Sequence, residues 1–376
     1  MAEATKTGGL RNVVAGQSAL SSIDGARGLL AYRGIDIHDL AEHSSFEEVV
    51  FLLHRGSLPK VAQLEALRQE LARERAVPEG VVALLRGLPP SSHPMAALRT
   101  LVSALGAFDP DGESDDEPAR TRKAARLTAQ MATLVALIER HRRGQPPVLP
   151  DAALSHAANF LYMLSGRKPK AVNVRAFDAA LVLYAEHELN ASTFTARVIA
   201  STLADMHSAV SGAIGALKGP LHGGAGEAVM RTLEEIGAPD RAEAFTQKAL
   251  AEKRRLMGFG HRVYKAGDPR ARILRALAAK ACRQSGQGVW FDTAVALHEA
   301  VNRAKGLIPN VDFYSAPLFA ALGIPVDLFV PVIAVSRIAG WTAHLLEQYA
   351  DNRLIRPRAE YVGPPRRPFR TLAERV

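Results

Sequence analysis

Cysteine and aromatic side chains are scarce in this chain. Cys282 is the single cysteine among 376 residues, so no internal disulfide can form, and the composition is that of a protein kept in a reducing cytosol. Aromatics make up 6% of the sequence, too few for the interleaved rings on which single-stranded nucleic acid stacks. No uncharged apolar run approaches the ~18 residues of a membrane-spanning helix, because the richest stretches are broken by Arg197, Asp205, Pro331 or Arg337. The opening MAEATKTGGLRN lacks an apolar h-region, which predicts no secretory signal. Regular strand–helix alternation is missing, which argues against a doubly wound sheet, and no fixed period suggests a solenoid. The expectation is a soluble, cytoplasmic protein that does not enter a membrane.

Basic residues are unevenly spread. The formal charge is +9, and two segments carry it. Residues 253–275 hold eight cations against Asp268 alone, and residues 353–376 hold seven arginines against Glu360 and Glu374. A basic chain invites a nucleic-acid reading, but no DNA- or RNA-binding module is visible. Cations crowded into Gly- and Pro-rich loops suit a compact polyanionic small molecule better.

Apolar residues at helical spacing dominate, and the length allows a core split into two lobes. FEEVVFLLHRG (46–56) has Ser45 as N-cap, an acidic first turn and Gly56 as stop. Further helices are predicted near 60–76, 94–107, 118–142, 151–165, 172–186, 193–213, 223–236, 239–255, 269–284, 289–304 and 326–349. Strand signals are confined to VVAGQSALSSID and LLAYRG, around the Asp24-Gly25 turn. DPDGESDDEP (109–118) has six acids and no base, which predicts a solvated surface loop. The tail from Arg353 is rich in Pro and Arg and is expected to run over a surface, which a partner subunit could supply.

Most histidines fit structural positions at helix ends or inside helices; three have distinctive surroundings. His187 lies in AEHELNASTF, at a break where Asn190 and Ser192 can turn the chain and cap the next helix. His222 precedes the Gly-rich helix start GGAG, whose N–H groups favour an anion or a developing oxyanion. His261 sits in MGFGHRVYKAGDPR (257–270), where three glycines and three cations share one loop. HELNA lacks the second histidine of a metalloprotease motif, and the wide separation of the three histidines matches no compact zinc spacing. NVDFYSAP (310–317) places Asp312 among apolar neighbours before a Ser-Ala-Pro break, and an isolated carboxylate there needs partners or a task. VSRIAGW (335–341) places Arg337 in an apolar helix with no neighbouring acid in the sequence. These segments predict a helical enzyme that handles a small polycarboxylate.

Together the segments resemble the citrate synthase family. GFGHRVYKAGDPR resembles its signature loop, and EHELNASTF, GPLHGGAGEAV, NVDFYSA, SRIAGWTAHLLEQ and NRLIRPRAEYVGP resemble family blocks in the family's order. YRGIDIHDLAEHSSFEEVVFLLHRGSLP does so near the N-terminus, and the likeness runs from about residue 9 to 365. It is greatest to the short bacterial and archaeal enzymes, without the extra N-terminal region of the longer allosteric type. The resemblance implies an all-α, two-domain fold with minor N-terminal β-hairpins, assembled as a homodimer. Residues 1–218 plus 328–376 would form a large domain with the dimer interface, and residues 219–327 a small mobile domain.

The implied reaction condenses acetyl-CoA with oxaloacetate and water to give citrate and CoA, the first step of the tricarboxylic acid cycle. The alternative is 2-methylcitrate synthase, acting on propionyl-CoA. Carried onto this sequence, Asp312 would be the base, His222 the donor that stabilises the enol, and His261 the group that polarises and protonates the ketone. His187, Arg270, Arg337 and Arg356 would hold oxaloacetate, with Arg356 reaching the neighbouring subunit's site. Arg262, Lys265 and Lys305 would face the phosphates of coenzyme A. No metal and no tightly bound cofactor is implied. Gly226 departs from the family, many members of which have asparagine there.

Overall fold

The computed structural model describes Leu10 and residues 13–375. The expectation of no secretory signal rests on residues 1–12, which apart from Leu10 lie outside that range, as does the start of the resemblance near residue 9. A small antiparallel sheet comes first: β1 (Ser21–Asp24), β2 (Leu29–Tyr32) and β3 (Ile35–Asp36), with Ser21 opposite Tyr32 and Asp24 opposite Leu29. Asp24 closes the β1–β2 turn by accepting the Arg27 N–H at 2.9 Å.

Helices then follow in an unbroken series. They are α1 (Ile37–His43), α2 (Phe46–Arg55), α3 (Val61–Arg73), α4 (Glu79–Gly87), α5 (Pro94–Ala107), α6 (Glu117–Arg142), α7 (His156–Ser165) and α8 (Ala171–Tyr184). Next come α9 (Ala191–Ala200), α10 (Met206–Leu217), α11 (Ala225–Ile236), α12 (Ala242–Ala251), α13 (Pro269–Gln284), α14 (Gly288–Lys305), α15 (Val311–Ala321) and α16 (Phe329–Ala350). The all-α expectation holds, and the sheet is confined to the N-terminal hairpins as expected. Local chemistry sets many of the ends. Ser45 and Glu48 form a capping box on α2, and Gly56 ends it at φ 87°, a conformation glycine adopts without strain.

Three expectations change. The stretch 193–213 is two helices, because Asp205 caps a new one by accepting the Ser208 N–H at 2.9 Å, and Leu203 turns the chain at φ 64°. Ser-Ala-Pro does not break the chain after Asp312; α15 runs through Pro317. Proline removes one intrahelical donor, but Phe313, Tyr314, Leu318 and Phe319 are all buried around it, and that packing outweighs the loss. The 109–118 segment is not simply solvated. Asp109 accepts from Arg126 at 2.6 Å and lies 3.3 Å from His207 Nε2, Asp111 pairs with Arg122 and Arg126, and Lys123 donates to the Ser114 carbonyl at 2.8 Å. These three cations lie within about one turn of α6, so they draw the acids back onto the helix.

Helices α6 and α16 are buried on nearly every face, and α16 packs against α2, α6, α8, α9 and α10. It is long and apolar enough to cross a membrane, yet it is buried inside the protein. Helices α11 to α15 pack chiefly on one another, α13 and α11 against α15 and α12 against α14. α16 approaches the Ala185–Glu186 segment so closely that a Cβ on Gly340 would overlap the Ala185 carbonyl and lie 2.5 Å from Glu186 Oε2. Gly340→Ala is therefore expected to lower the unfolding free energy by about 1–3 kcal/mol, read from urea denaturation. An unchanged midpoint would remove this close approach as a constraint.

Candidate active site

Four segments converge beside α16: the loop after α8, the loop before α11, the 257–268 loop and the start of α15. The last two are joined directly. Gly260 N–H donates to Ile308 O at 2.8 Å, Asn310 N–H to Gly258 O at 2.9 Å, and Asn310 Nδ2 to Gly260 O at 3.0 Å. Asn310 also caps α15 through the Asp312 N–H at 3.1 Å. This short antiparallel pairing sets His261 next to the helix that carries Asp312. Gly258 is needed in it: φ is 83°, and a Cβ would lie 2.5 Å from Val229 Cγ2 and 2.9 Å from Phe313 Cδ2.

His261 Nδ1 accepts two backbone N–H groups, from Val263 at 3.0 Å and Tyr264 at 3.2 Å. The neutral ring must then carry its proton on Nε2. Burial, helped by Arg270, pushes its pKa down to about 4. The ring packs on Tyr264 and His187, with centroids 4.7 Å and 5.3 Å away. His187 Nε2 lies 3.1 Å from Tyr264 Oη; burial, then Arg270 and Arg337, hold its pKa well below the usual value.

His222 has the opposite tautomer. Its Nε2 accepts the Ser192 N–H at 3.3 Å and lies 2.8 Å from Ser192 Oγ, which leaves the proton of the neutral ring on Nδ1. The Ser192 hydroxyl accepts from Trp341 Nε1 at 3.1 Å and lies 2.8 Å from Asn190 Oδ1, so its one proton is divided between Asn190 and His222, and the Ser192 N–H is the contact that fixes the tautomer. Burial and the Arg337 charge push the His222 pKa down to about 4. No side chain caps α11, which starts three residues after His222, so its first N–H groups stay available.

Asp312 accepts from Tyr184 Oη at 2.9 Å. Burial raises its pKa to about 6, with Tyr184, Arg270 and Arg337 opposing the rise. The two site arginines differ. Arg270 is buried and already paired, its Nε and Nη2 donating to Asp268 at 2.9 and 2.8 Å. Asp268 also accepts the Val311 N–H at 3.0 Å and so orients the start of α15. Arg337 is buried with its Nε on the Tyr184 carbonyl at 2.6 Å. It forms no ion pair within 4 Å among the described residues; the nearby Glu186 carboxylate, whose charge favours the Arg337 cation, meets His344 and Ser21 through Oε1, each at 3.0 Å, and its Oε2 has no hydrogen-bond partner.

The structure thus brings His187, His222, His261, Asp312, Arg270 and Arg337 to one cleft. Arg262 and Lys265 are exposed on the outer side of the His261 loop, and Lys305 is exposed in the last turn of α14. Arg356 is not brought to this site by its own chain. Ile355 N–H binds Ser201 Oγ at 3.0 Å, beyond the far end of α9 from Ser192, roughly 13 Å away by helical rise. Sequence reasoning missed Tyr184, Tyr264, Asp268 and Trp341 as parts of the site. Of these, only Asp268, as the N-cap residue of an Asp-Pro-Arg helix start, carried a local signal.

Among the described residues, no group of three or more His, Cys, Asp or Glu side chains could hold a metal ion. What the cleft offers is two neutral imidazole N–H donors, one carboxylate of raised basicity and two buried guanidinium groups. Such a set can remove a proton from carbon, hold the resulting oxyanion and bind carboxylates. In a histidine NMR titration, His222 and His261 should show no charge change between pH 5.5 and 8, with nitrogen shifts of the Nδ1–H and Nε2–H tautomers respectively. A midpoint near 6.5 for either ring would overturn the donor assignment.

Residues 9–358 match the family model described as citrate synthase, C-terminal domain. The chain is 49% identical to citrate synthase 2 of Bacillus subtilis over 373 residues, covering 99% of this chain and all of that one. It is 46% identical to 2-methylcitrate synthase of Mycobacterium tuberculosis over 360 residues, 96% of this chain and 91% of that one. Among solved structures, it superposes on Thermoplasma acidophilum citrate synthase in ternary complex with carboxymethyl coenzyme A and oxaloacetate, with a TM-score of 0.92, 35% identity and coverage of 98% of this chain and 99% of that one. The chain belongs to the citrate synthase family and is an acyl-transferring enzyme.

Proposed function

We propose that the protein condenses acetyl-CoA with oxaloacetate and water to give citrate and CoA, the entry reaction of the tricarboxylic acid cycle. The observation that carries the reading is a buried Asp312 of raised pKa brought together with two neutral ring donors of opposite tautomer and a guanidinium to which no carboxylate is bonded. Arg337, Arg270 and His187 would bind the dicarboxylate, whose charge supplies what Arg337 lacks. Arg270 keeps Nη1 for this while Asp268 holds its other edge. Asp312 would take a methyl proton from the acetyl thioester. His222 Nδ1–H would donate to the thioester oxygen as it gains charge, and each such donor is worth about 3–4 kcal/mol. The enol carbon would attack the ketone, and His261 Nε2–H would polarise that oxygen and protonate the alkoxide. Water would then cleave the citryl thioester and release CoA.

The packing of α11 to α15 on one another supports a mobile unit of residues 219–327 against residues 1–218 plus 328–376. Exposed Arg262, Lys265 and Lys305 lie on that unit and would meet the coenzyme A phosphates. Arg356, exposed in an extended tail, would complete the site of the other subunit of a homodimer. A cytoplasmic location fits the single buried cysteine.

Asp312→Asn should cut turnover about 10²- to 10⁴-fold while leaving the helical circular dichroism intact, measured as CoA thiol release. Near-normal turnover would overturn the mechanism. The similarity to a 2-methylcitrate synthase makes propionyl-CoA the second substrate to test. One methylene separates the two thioesters and is worth about 1–3 kcal/mol in an apolar pocket. At least tenfold higher kcat/KM is expected with acetyl-CoA; the reverse order would assign the methylcitrate reaction.

A further inference from the structure

Tyr184 is the last residue of α8, and it is buried, with 3% of its surface exposed. Its phenol nevertheless faces the base. Oη donates to Asp312 Oδ1 at 2.9 Å and sits 2.8 Å from Ser315 Oγ. Since the one phenolic proton goes to the carboxylate, the phenol oxygen accepts in the second contact, from a Ser315 hydroxyl that also faces the Asp312 carbonyl at 3.1 Å. The carbonyl of the same residue accepts from Arg337 Nε at 2.6 Å. One residue therefore touches both the carboxylate that would remove the proton and the guanidinium that would hold the second substrate.

We propose that Tyr184 is a positioning residue for Asp312: its hydrogen bond occupies Oδ1, leaves Oδ2 as the oxygen that takes the substrate proton, and keeps the carboxylate ionised in a buried site. The inference rests on Asp312 being the base. Burial favours the neutral acid, and a donor to the charged form opposes that. The charged and titratable groups bearing on Asp312 are Tyr184 from α8, Asp268 and Arg270 at the start of α13, and Arg337 from α16. Asp268 raises its pKa and is neutralised by Arg270, and the two arginines are shared with His187. His298 of α14 is engaged by Tyr314 at 2.9 Å. Tyr184 is thus the one group that contacts the carboxylate by a side-chain hydrogen bond among the described residues.

The phenol does not act as a second acid. Burial, and then the neighbouring Asp312 charge, push its own pKa well above the ordinary range, so it remains a fixed donor throughout turnover. The bond also joins α8 to α15, helices on opposite sides of the proposed domain boundary. The base is therefore tuned only while the two units are in this arrangement, which would tie its readiness to closure.

Tyr184→Phe removes the hydroxyl but keeps the ring and the backbone carbonyl that serves Arg337. The acid limb of kcat/KM for acetyl-CoA should move up by about one pH unit. Turnover relative to wild type should fall about fivefold at pH 6 and less than about threefold at pH 8.5, with KM for oxaloacetate unchanged. Infrared titration of the Asp312 carboxyl, isolated by subtracting the Asp312→Asn spectrum, should shift in the same direction without any substrate. A lowered melting temperature with an unmoved acid limb and an unmoved carboxyl titration would overturn the role and leave Tyr184 a core residue. Asp312→Asn, assayed alongside, separates the two failures. If it is inactive while Tyr184→Phe is unshifted, only the positioning role falls; if it is active, the base assignment falls and takes the positioning role with it.

Discussion

A buried guanidinium with no carboxylate bonded to it is the constraint around which this site is built. Arg337 sits in an apolar helix, and its burial works against its charged form. The Glu186 charge favours that form without bonding the guanidinium; a buried charge with no bonded carboxylate is costly, and it is tolerated where a function or a ligand offsets the cost. The consequences spread through the site. The Arg337 charge helps to hold His187 and His222 neutral and eases the ionisation of Asp312. Neutral imidazoles donate one hydrogen bond each and add no further cation to a site already rich in positive charge.

The second organising pair is Asp268 with Arg270. A bidentate bond fixes the guanidinium plane, while Asp268 also accepts the first amide of α15. The cations of the 257–270 loop thereby divide by burial. Arg270 points inward and is orientated by its own helix cap; Arg262 and Lys265 stay in solvent, where a phosphate could meet them. On its outer side the loop lies against the β1–β2 turn, with Lys265 N–H donating to Gly25 O at 2.7 Å and the Val263 carbonyl so near that a Cβ on Gly25 would overlap it. The glycines of the turn thus let two chain segments meet without a side chain between them.

Sequence patterning reached most of the helices, since their apolar spacing and caps are local. It failed where a tertiary contact overrode a local signal. Pro317 reads as a break but lies inside a helix held by buried aromatic packing, and an acidic segment reads as solvated but is drawn onto α6. The reverse also occurred: at 193–213 a local cap at Asp205 divided one apolar run in two.

The sequence by itself determined the residue types of the site, because histidine before a glycine-rich helix start, an aspartate among apolar residues and an arginine in an apolar helix are each unusual locally. It could not determine which nitrogen of each ring bears the proton. That depends on Ser192 meeting His222 across 30 residues and on two amides turning back onto His261. Nor could it find Tyr184, an ordinary aromatic at the end of a buried helix, whose hydroxyl meets Asp312 across 128 residues. Burial and backbone direction are properties of the packed chain, and they decided the basicity of Asp312, the donor face of each histidine and the absence of a bonded carboxylate at Arg337.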